Sequence, residues 1–143
     1  MAHQEIKVQI VTPYGIYYDG SCELLVIPTS DGEQGVMYGH SPFIAAVYPG
    51  QLKLITGDKK RIAFVAAGYA EVRRQIVVII CNAAEWPEDI DTERARKAKE
   101  RAEKRLRQKE LPDYMHQRDR HAVRRAKARL KVAEAYQKLK EER

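Results

Sequence analysis

The pattern of apolar and polar positions changes at Pro87. Before it, short runs rich in β-branched and aromatic residues are separated by Gly, Pro and Asp, and in residues 5–12 the apolar Ile6, Val8 and Ile10 alternate with polar positions. A period of two indicates a strand with one buried face. Comparable runs occupy residues 16–18, 22–27, 51–55, 61–65, 69–72 and 75–81. Because no helical pattern separates these runs, they predict an antiparallel β-sandwich or barrel.

After residue 91 the period lengthens to that of a helix. Apolar positions recur at spacings of three and four in two segments separated by Pro112. They are Ala95, Ala98, Ala102 and Leu106 in the first segment, and Val123, Ala126, Leu130 and Ala133 in the second. Since residues three and four apart share a helix face, the pattern predicts two amphipathic helices joined by a short link, which is an antiparallel αα-hairpin.

The transition between the two patterns lies in residues 85–95. Pro87 cannot donate a hydrogen bond to a sheet ladder, so the strand pattern ends there. Asp89 and Asp91 are suited to cap a helix N-terminus. The negative charges of Glu88 and Glu93 would be stabilised there by the positive end of the helix dipole. We therefore predict a β-domain, a sandwich or a barrel, at residues 1–87 and a helical hairpin domain at residues 88–143.

The predicted seam between the two helices consists mostly of alanine. A buried methyl group contributes about 0.8 kcal/mol, against about 1.5–3 kcal/mol for a buried Leu or Ile side chain. The Ala, Glu, Lys, Arg and Leu content nevertheless favours each helix individually. Such a hairpin can open without unfolding, which favours a conformational switch; a rigid spacer hairpin is the alternative.

The charge of the chain is divided unequally between the two predicted domains. Residues 1–87 hold 7 Lys and Arg against 8 Asp and Glu, whereas residues 88–143 hold 19 against 12. A basic helical segment suits an acidic protein surface, a nucleotide or a nucleic acid, or it is simply a solvated pair of helices. A nucleic-acid-binding module is therefore an alternative function, although acids are interleaved with the bases and no groove-reading motif is present.

Several functional classes are disfavoured by what the chain lacks. No apolar run approaches the roughly 20 residues that span a membrane, and the first residues do not resemble a secretory signal peptide, so we expect a cytoplasmic protein. Cys22 and Cys81 lie far apart in apolar segments, as expected of reduced, buried thiols. The histidines are not at metal-ligand spacing, and no phosphate loop or nucleophile motif is present. We predict a non-catalytic protein that has no metal and requires no cofactor.

Seven short motifs follow one another along the chain, the most distinctive being Pro-Thr-Ser-Asp-Gly-Glu-Gln-Gly-Val at residues 28–36. The others occupy residues 11–15, 18–20, 39–46, 49–50, 68–72 and 84–95. Each is weak by itself, but the ordered series resembles the epsilon subunit family of the bacterial-type rotary (F-type) ATP synthase over essentially the whole chain. Tyr38 stands where that family usually has Pro, and Ala67 where it usually has Gly.

The resemblance implies that residues 1–87 form a flattened β-sandwich, which binds the gamma subunit of the central stalk and the c-ring. It implies that the loop with Asp31 and Glu33 faces the c-ring and that the region of His40 faces gamma. From the residues alone, this loop is an ordinary tight turn and His40 is a hydrogen-bonded structural histidine. The resemblance also implies a peripheral position on the cytoplasmic side of the inner membrane, reached only through the complex.

The same resemblance implies a regulatory hairpin. In the family the hairpin either folds down or extends toward the alpha and beta subunits of the catalytic hexamer, where it inhibits ATP hydrolysis, and in some bacterial members ATP binds the folded form. The residues that match the ATP-binding motif are Ile90, Asp91, Arg94, Ala95, Arg125 and Arg129. Glu85 lies upstream of the motif and Arg101 lies nearby on the first helix, and both are also candidate ATP contacts. Arg125 and Arg129 share a helix face, so two guanidinium groups can converge on phosphate. The alternative is that Asp91 is only a helix cap and the arginines are surface charges.

Overall fold

The computed structural model describes residues 4–142, so the first three residues, on which part of the signal-peptide expectation rests, lie outside it. Two units are distinguished, Met1–Trp86 and Pro87–Arg143, and their boundary falls one residue before the predicted one. Ten strands form the described part of the first unit. They are β1 (Ile6–Thr12), β2 (Gly15–Cys22), β3 (Leu24–Thr29), β4 (Gly32–Met37), β5 (Phe43–Val47), β6 (Gly50–Thr56), β7 (Lys59–Val65), β8 (Gly68–Val72), β9 (Ile76–Cys81) and β10 (Ala84–Glu85).

The strands share one continuous hydrogen-bonded sheet. Their order is β10-β7-β6-β3-β5-β8-β9-β1-β2, and β4 pairs with β3 outside this path. The alternation in β1 places Ile6, Val8 and Ile10 in the core with no exposed surface, as the period of two predicts. Leu25, Leu52 and several Val and Ile side chains from the other strands complete this core. The predicted β-sandwich is therefore confirmed, with one parallel pair, β1 with β9, among its antiparallel strands.

Two strands, β4 and β5, are not among the runs that the sequence pattern identified. β4 includes Gly35, whose partner on β3 is Val26, and β5 follows the loop at residues 38–42. Glycine has a low strand propensity, but pairing along the whole of β3 overrides it. The strand predicted at residues 16–18 is shorter than the observed one. Strand β2 continues through Asp19 and Gly20 to Cys22, and these residues pair with β1.

A cluster of aromatic rings joins the two edge strands of the sheet order, β10 and β2. Trp86 directly follows β10 at one end, and its ring lies 5.7 Å from the ring of Tyr17 and 5.5 Å from that of Tyr18, both on β2 at the other end. The backbone N–H of Trp86 donates to the Tyr17 hydroxyl at 2.8 Å. The guanidinium carbon of Arg61 lies 3.6 Å from the centroid of the Trp86 ring. Burial raises the pKa of the Tyr18 phenol, and the charge of Arg61 opposes that rise.

The second unit is a pair of helices preceded by a single 3₁₀ turn at Pro87–Asp89. Helix α1 (Thr92–Leu106) begins at the predicted cap, because the Asp91 carboxylate accepts a hydrogen bond from the Arg94 N–H at 3.0 Å. Helix α2 (Asp113–Glu141) begins after Pro112 and has 29 residues, against 15 in α1. The predicted helical hairpin and its break are thus confirmed.

The buried face of the hairpin matches the prediction in part in α1 and differs from it more in α2. In α1, Ala95 and Ala102 are buried as predicted, whereas Ala98 and Leu106 are half-buried. In α2 the buried residues are Asp119, Ala126, Ala128 and Val132, so only Ala126 of the predicted set is fully buried. The apolar period of α2 is too irregular to identify its buried face, because small alanines occur on several sides of this helix.

Candidate functional sites

The outer face of the sheet carries an exposed apolar strip that crosses five adjacent strands. Ala46 on β5 pairs with Tyr69 on β8, and Tyr69 pairs with Ile80 on β9. Ile80 pairs with Val11 on β1, which pairs in turn with Ile16 on β2. Cross-strand partners present their side chains on the same face of a sheet. We call the exposed members Ile16, Ile44, Tyr69 and Ile80 the apolar strip; Ile44 lies two residues from Ala46 on the same face of β5.

The exposure of these side chains is large for apolar residues. Ile44 is 73% exposed, Tyr69 65%, Ile16 62% and Ile80 56%. A groove of about 570 Å³ lies beside Tyr69 and Ile80, with Pro13 among its lining residues. Single exposed apolar residues are common, but a contiguous apolar patch is typical of a surface that binds another protein.

The sequence prediction did not include the apolar strip. One signal was available in β9, where residues 76–81 are apolar at every position instead of alternating. A strand with only one face in the core does not need apolar residues on the other face, so Ile80 indicated a second apolar contact.

The turn between β3 and β4 presents the predicted acidic loop. Gly32 has φ of 112°, a conformation that favours glycine, and the Thr29 hydroxyl donates to the Gly32 carbonyl at 2.7 Å. Asp31 is exposed at the tip of this turn. Glu33 instead forms an ion pair with Lys53 at 3.0 Å, so the two acids differ in their surroundings.

His40 lies in the loop between β4 and β5. Its Nδ1 is 2.8 Å from the carbonyl oxygen of Ser41, and its ring is 5.1 Å from that of Phe43. These contacts fit a histidine that orders its own loop. The neighbouring Met37 and Tyr38 are exposed, at 51% and 37% respectively, so the same loop also presents apolar surface.

Three of the predicted ATP-contacting residues line one open groove on α1. The groove has a volume of about 470 Å³, within the usual range for small-ligand sites. Its lining residues are Asp91, Glu93, Arg94, Lys97, Glu100 and Arg101. Three acids and three bases face this space, so α1 by itself supplies no excess of positive charge for a phosphate.

The other predicted ATP-contacting residues occupy different places. Ile90 and Ala95 are buried, at 8% and 5% exposure. Arg125 and Arg129 are half-buried on α2 and are not among the lining residues of the groove on α1. Glu85 belongs to the first unit, where it pairs with Phe64 on β7.

Between residues 4 and 142 no cluster of three metal-ligating side chains occurs. Cys22 and Cys81 are free and buried, and burial raises the pKa of each thiol to about 11. No described helix is long and apolar enough to cross a membrane.

Known proteins resemble this chain over nearly its whole length. The family model of the β-sandwich domain of the ATP synthase delta/epsilon chain matches residues 5–87, and that of its long α-helix domain matches residues 88–134. The ATP synthase epsilon chain of Caldicellulosiruptor saccharolyticus is 42% identical over 130 residues, 91% of this chain and 94% of its own length. That of Halalkalibacterium halodurans is 41% identical over 128 residues, 90% and 96% of the two chains.

Solved structures share the fold at lower identity. A chain of the Euglena gracilis mitochondrial ATP synthase superposes with a TM-score of 0.74 and 24% identity, covering 92% of this chain and 81% of its own length. A chain of the Tetrahymena thermophila mitochondrial ATP synthase central stalk and c-ring superposes with a TM-score of 0.67 and 13% identity, covering 93% and 99%. With two family models in sequence order and relatives above 40% identity, the chain belongs to the delta/epsilon family of ATP synthase subunits.

Proposed function

We propose that this protein is a non-catalytic rotor subunit of the ATP synthase central stalk. It links the gamma subunit to the c-ring and inhibits ATP hydrolysis through its helical hairpin. The apolar strip carries the proposal, because a stalk subunit needs a broad surface by which it turns together with gamma. Family membership favours this function over the nucleic-acid-binding alternative. The protein then resides on the cytoplasmic side of the inner membrane and is held there by the complex.

Gamma binds along the apolar strip and the adjoining loop with His40. Burying Tyr69 and Ile80 against a partner removes large apolar side chains from water, and tyrosine is prominent among residues that dominate interface energies. Truncation of such a residue costs about 2 kcal/mol, a loss of about 30-fold in affinity. Binding of the full chain to a complex of alpha, beta and gamma, measured by surface plasmon resonance, should therefore weaken on Tyr69→Ser or Ile80→Ser.

The matched control for this measurement is Lys59→Ser, an exposed residue at the start of β7 that lies outside the strip. It should leave the affinity unchanged. Equal affinities for the parent chain and both strip variants would show that gamma binds elsewhere.

The c-ring contacts the turn between β3 and β4. Asp31 stands at its exposed tip, whereas Glu33 is engaged by Lys53. A single acid on a tightly held turn can meet basic loops of a ring and determine orientation more than affinity. Asp31→Asn should therefore lower the coupling of ATP hydrolysis to proton pumping in membrane vesicles more than Glu33→Gln does. An equal effect of both substitutions would contradict this assignment.

The hairpin regulates hydrolysis by meeting acidic surfaces of the catalytic hexamer. Helix α2 exposes Arg118, Arg120, Lys127 and Lys131, which suit such a partner. The small alanines of the seam, Ala95, Ala102 and Ala126, hold the closed form weakly. Deletion of residues 89–143 should therefore raise the ATPase rate of the assembled complex. An unchanged rate at every ATP concentration would exclude this regulation.

ATP is the regulatory ligand we propose for the hairpin. Asp91, Arg94 and Arg101 line the groove on α1, and Arg125 and Arg129 add two positive charges from α2. Asp91→Asn retains an oxygen that can cap α1 but removes the carboxylate, so it separates capping from ATP binding. Calorimetric titration of the full chain should show weaker ATP binding for Asp91→Asn and Arg94→Gln.

Arg96→Gln serves as the control in this titration, since Arg96 is exposed on α1 outside the groove lining. It should bind ATP as the parent chain does. Absence of heat from the parent chain at millimolar ATP would refute the ATP proposal and leave the stalk function untouched.

A further inference from the structure

One charged residue is buried between the helices near their connection. Asp119 on α2 has no exposed surface, and it is the only fully buried charged residue between residues 4 and 142. Arg105, in the last turn of α1, donates from Nε to the Asp119 Oδ1 at 3.0 Å, and its Nη2 lies 3.0 Å from the same oxygen as an ion pair. The Arg105 side chain is 44% exposed, so the pair reaches from the seam to solvent.

The two oxygens of the Asp119 carboxylate differ in their hydrogen-bond partners. Both guanidinium contacts fall on Oδ1, and Oδ2 is buried with no hydrogen-bond partner among the described residues. A buried carboxylate is unfavourable unless it is paired and hydrogen-bonded. The closed hairpin therefore depends on Arg105 to make the burial of Asp119 tolerable, while water would solvate Oδ2 once the helices separate.

The rest of the seam does not compensate for the loss of such a pair. Its buried members are alanines and Val132, which remove little apolar surface from water. Removing one partner of a buried ion pair is strongly destabilising, whereas replacing both partners with apolar residues is often neutral or stabilising. The ion pair therefore specifies which faces of α1 and α2 meet, and it contributes little net stability.

We propose that Arg105 and Asp119 form a clasp that sets the register of the hairpin and keeps its closed form only marginally favoured. The two residues act as positioning residues of the second unit. The regulatory consequence of the clasp rests on the proposed inhibition of hydrolysis by the hairpin, but the effect on closure does not. Opposite effects are expected from the two kinds of substitution: loss of Arg105 alone opens the hairpin, and an apolar pair closes it further.

The test measures closure directly in the full chain. Nitroxide labels on Thr92→Cys and Lys131→Cys, exposed positions on α1 and α2, report the distance between the helices by pulsed electron paramagnetic resonance. Arg105→Gln should lower the closed-to-open ratio at least tenfold. The combination Arg105→Met with Asp119→Leu should restore a ratio at or above that of the parent chain.

Two further variants separate the clasp from general charge effects. Arg96→Gln removes an exposed α1 arginine that pairs with Glu93 and should not alter the distance distribution. Asp119→Asn removes the buried charge and should open the hairpin less than Arg105→Gln does. If Arg105→Gln loses its helical circular dichroism, the comparison of Asp119→Asn with the apolar pair still decides the question.

A parent-like distribution for Arg105→Gln, or an apolar pair less closed than Arg105→Gln, overturns the clasp. The proposed regulation is tested separately by the ATPase rate of the complex assembled with the same variants. If the distances change as expected and the rate does not, the clasp stands and the proposed inhibition by the hairpin falls.

Discussion

The aromatic cluster around Trp86 should be the main contact that holds strand β10 against strand β2. Trp86→Leu keeps an apolar side chain and the backbone hydrogen bond to Tyr17, but it removes two ring–ring contacts and the stacking of Arg61. Each aromatic pair contributes about 0.5–1.5 kcal/mol, and a cation–π contact at an exposed site about 0.5–1 kcal/mol. The free energy of unfolding of the first unit should therefore fall by about 1.5–4 kcal/mol.

The assay is urea unfolding followed by near-ultraviolet circular dichroism. Six of the eight tyrosines precede residue 87, so this signal reports mainly on the first unit. Arg61→Met in the parent chain and in Trp86→Leu completes a double-mutant cycle, which should show a coupling of about 0.5–1 kcal/mol. Arg73→Met, at an exposed arginine that pairs with Glu71, is the control. A loss below about 0.5 kcal/mol for Trp86→Leu, or zero coupling to Arg61, would refute this account of the cluster.

Three further predictions concern the thiols, a glycine and the helix cap. With pKa values of about 11, about one in a thousand of the Cys22 and Cys81 thiols is ionised at pH 8, so alkylation should be slow until urea unfolds the chain. Because these thiols ionise more readily in the unfolded chain, the free energy of unfolding should fall as the pH rises from about 9 to 11, and less so when both are replaced by alanine. A Cβ at Gly68 would overlap a carbonyl of β9, whereas one at Gly35 would meet its nearest side-chain atom at 3.5 Å; Gly68→Ala should therefore lower the melting temperature and Gly35→Ala should not. Asp91→Ala should lower the stability of α1 by about 1 kcal/mol, and Asp91→Asn by much less, in urea unfolding followed by helical circular dichroism.

The helix boundaries of the second unit could be predicted from the residues close to each boundary. The cap at Asp91, the start of α1 at Thr92 and the break at Pro112 follow from residue chemistry within a few positions of each feature. Helix propensity, capping and the missing N–H of proline act over one or two turns, so the sequence contains all the information they need.

The buried position of Asp119 could not be inferred in the same way. A charged residue in a helix rich in Lys, Arg and Glu is expected to face water, and only the placement of α1 shows that Arg105 meets it. For the same reason Ala128 and Val132, rather than Leu130 and Ala133, are fully buried.

In the first unit, the strand period identified the core but not the apolar strip. Ile6, Val8 and Ile10 alternate, so their burial can be predicted from β1 alone. The apolar strip instead joins residues 16, 44, 69 and 80, which are neighbours only because β1 pairs with β9 in parallel and β5 pairs with β8. Strand order and register depend on contacts between residues far apart in the chain, and a shift of one residue would turn these side chains into the core. The chain pattern therefore specifies which residues prefer to be buried, and the assembled sheet determines which apolar residues are left together on its outer face.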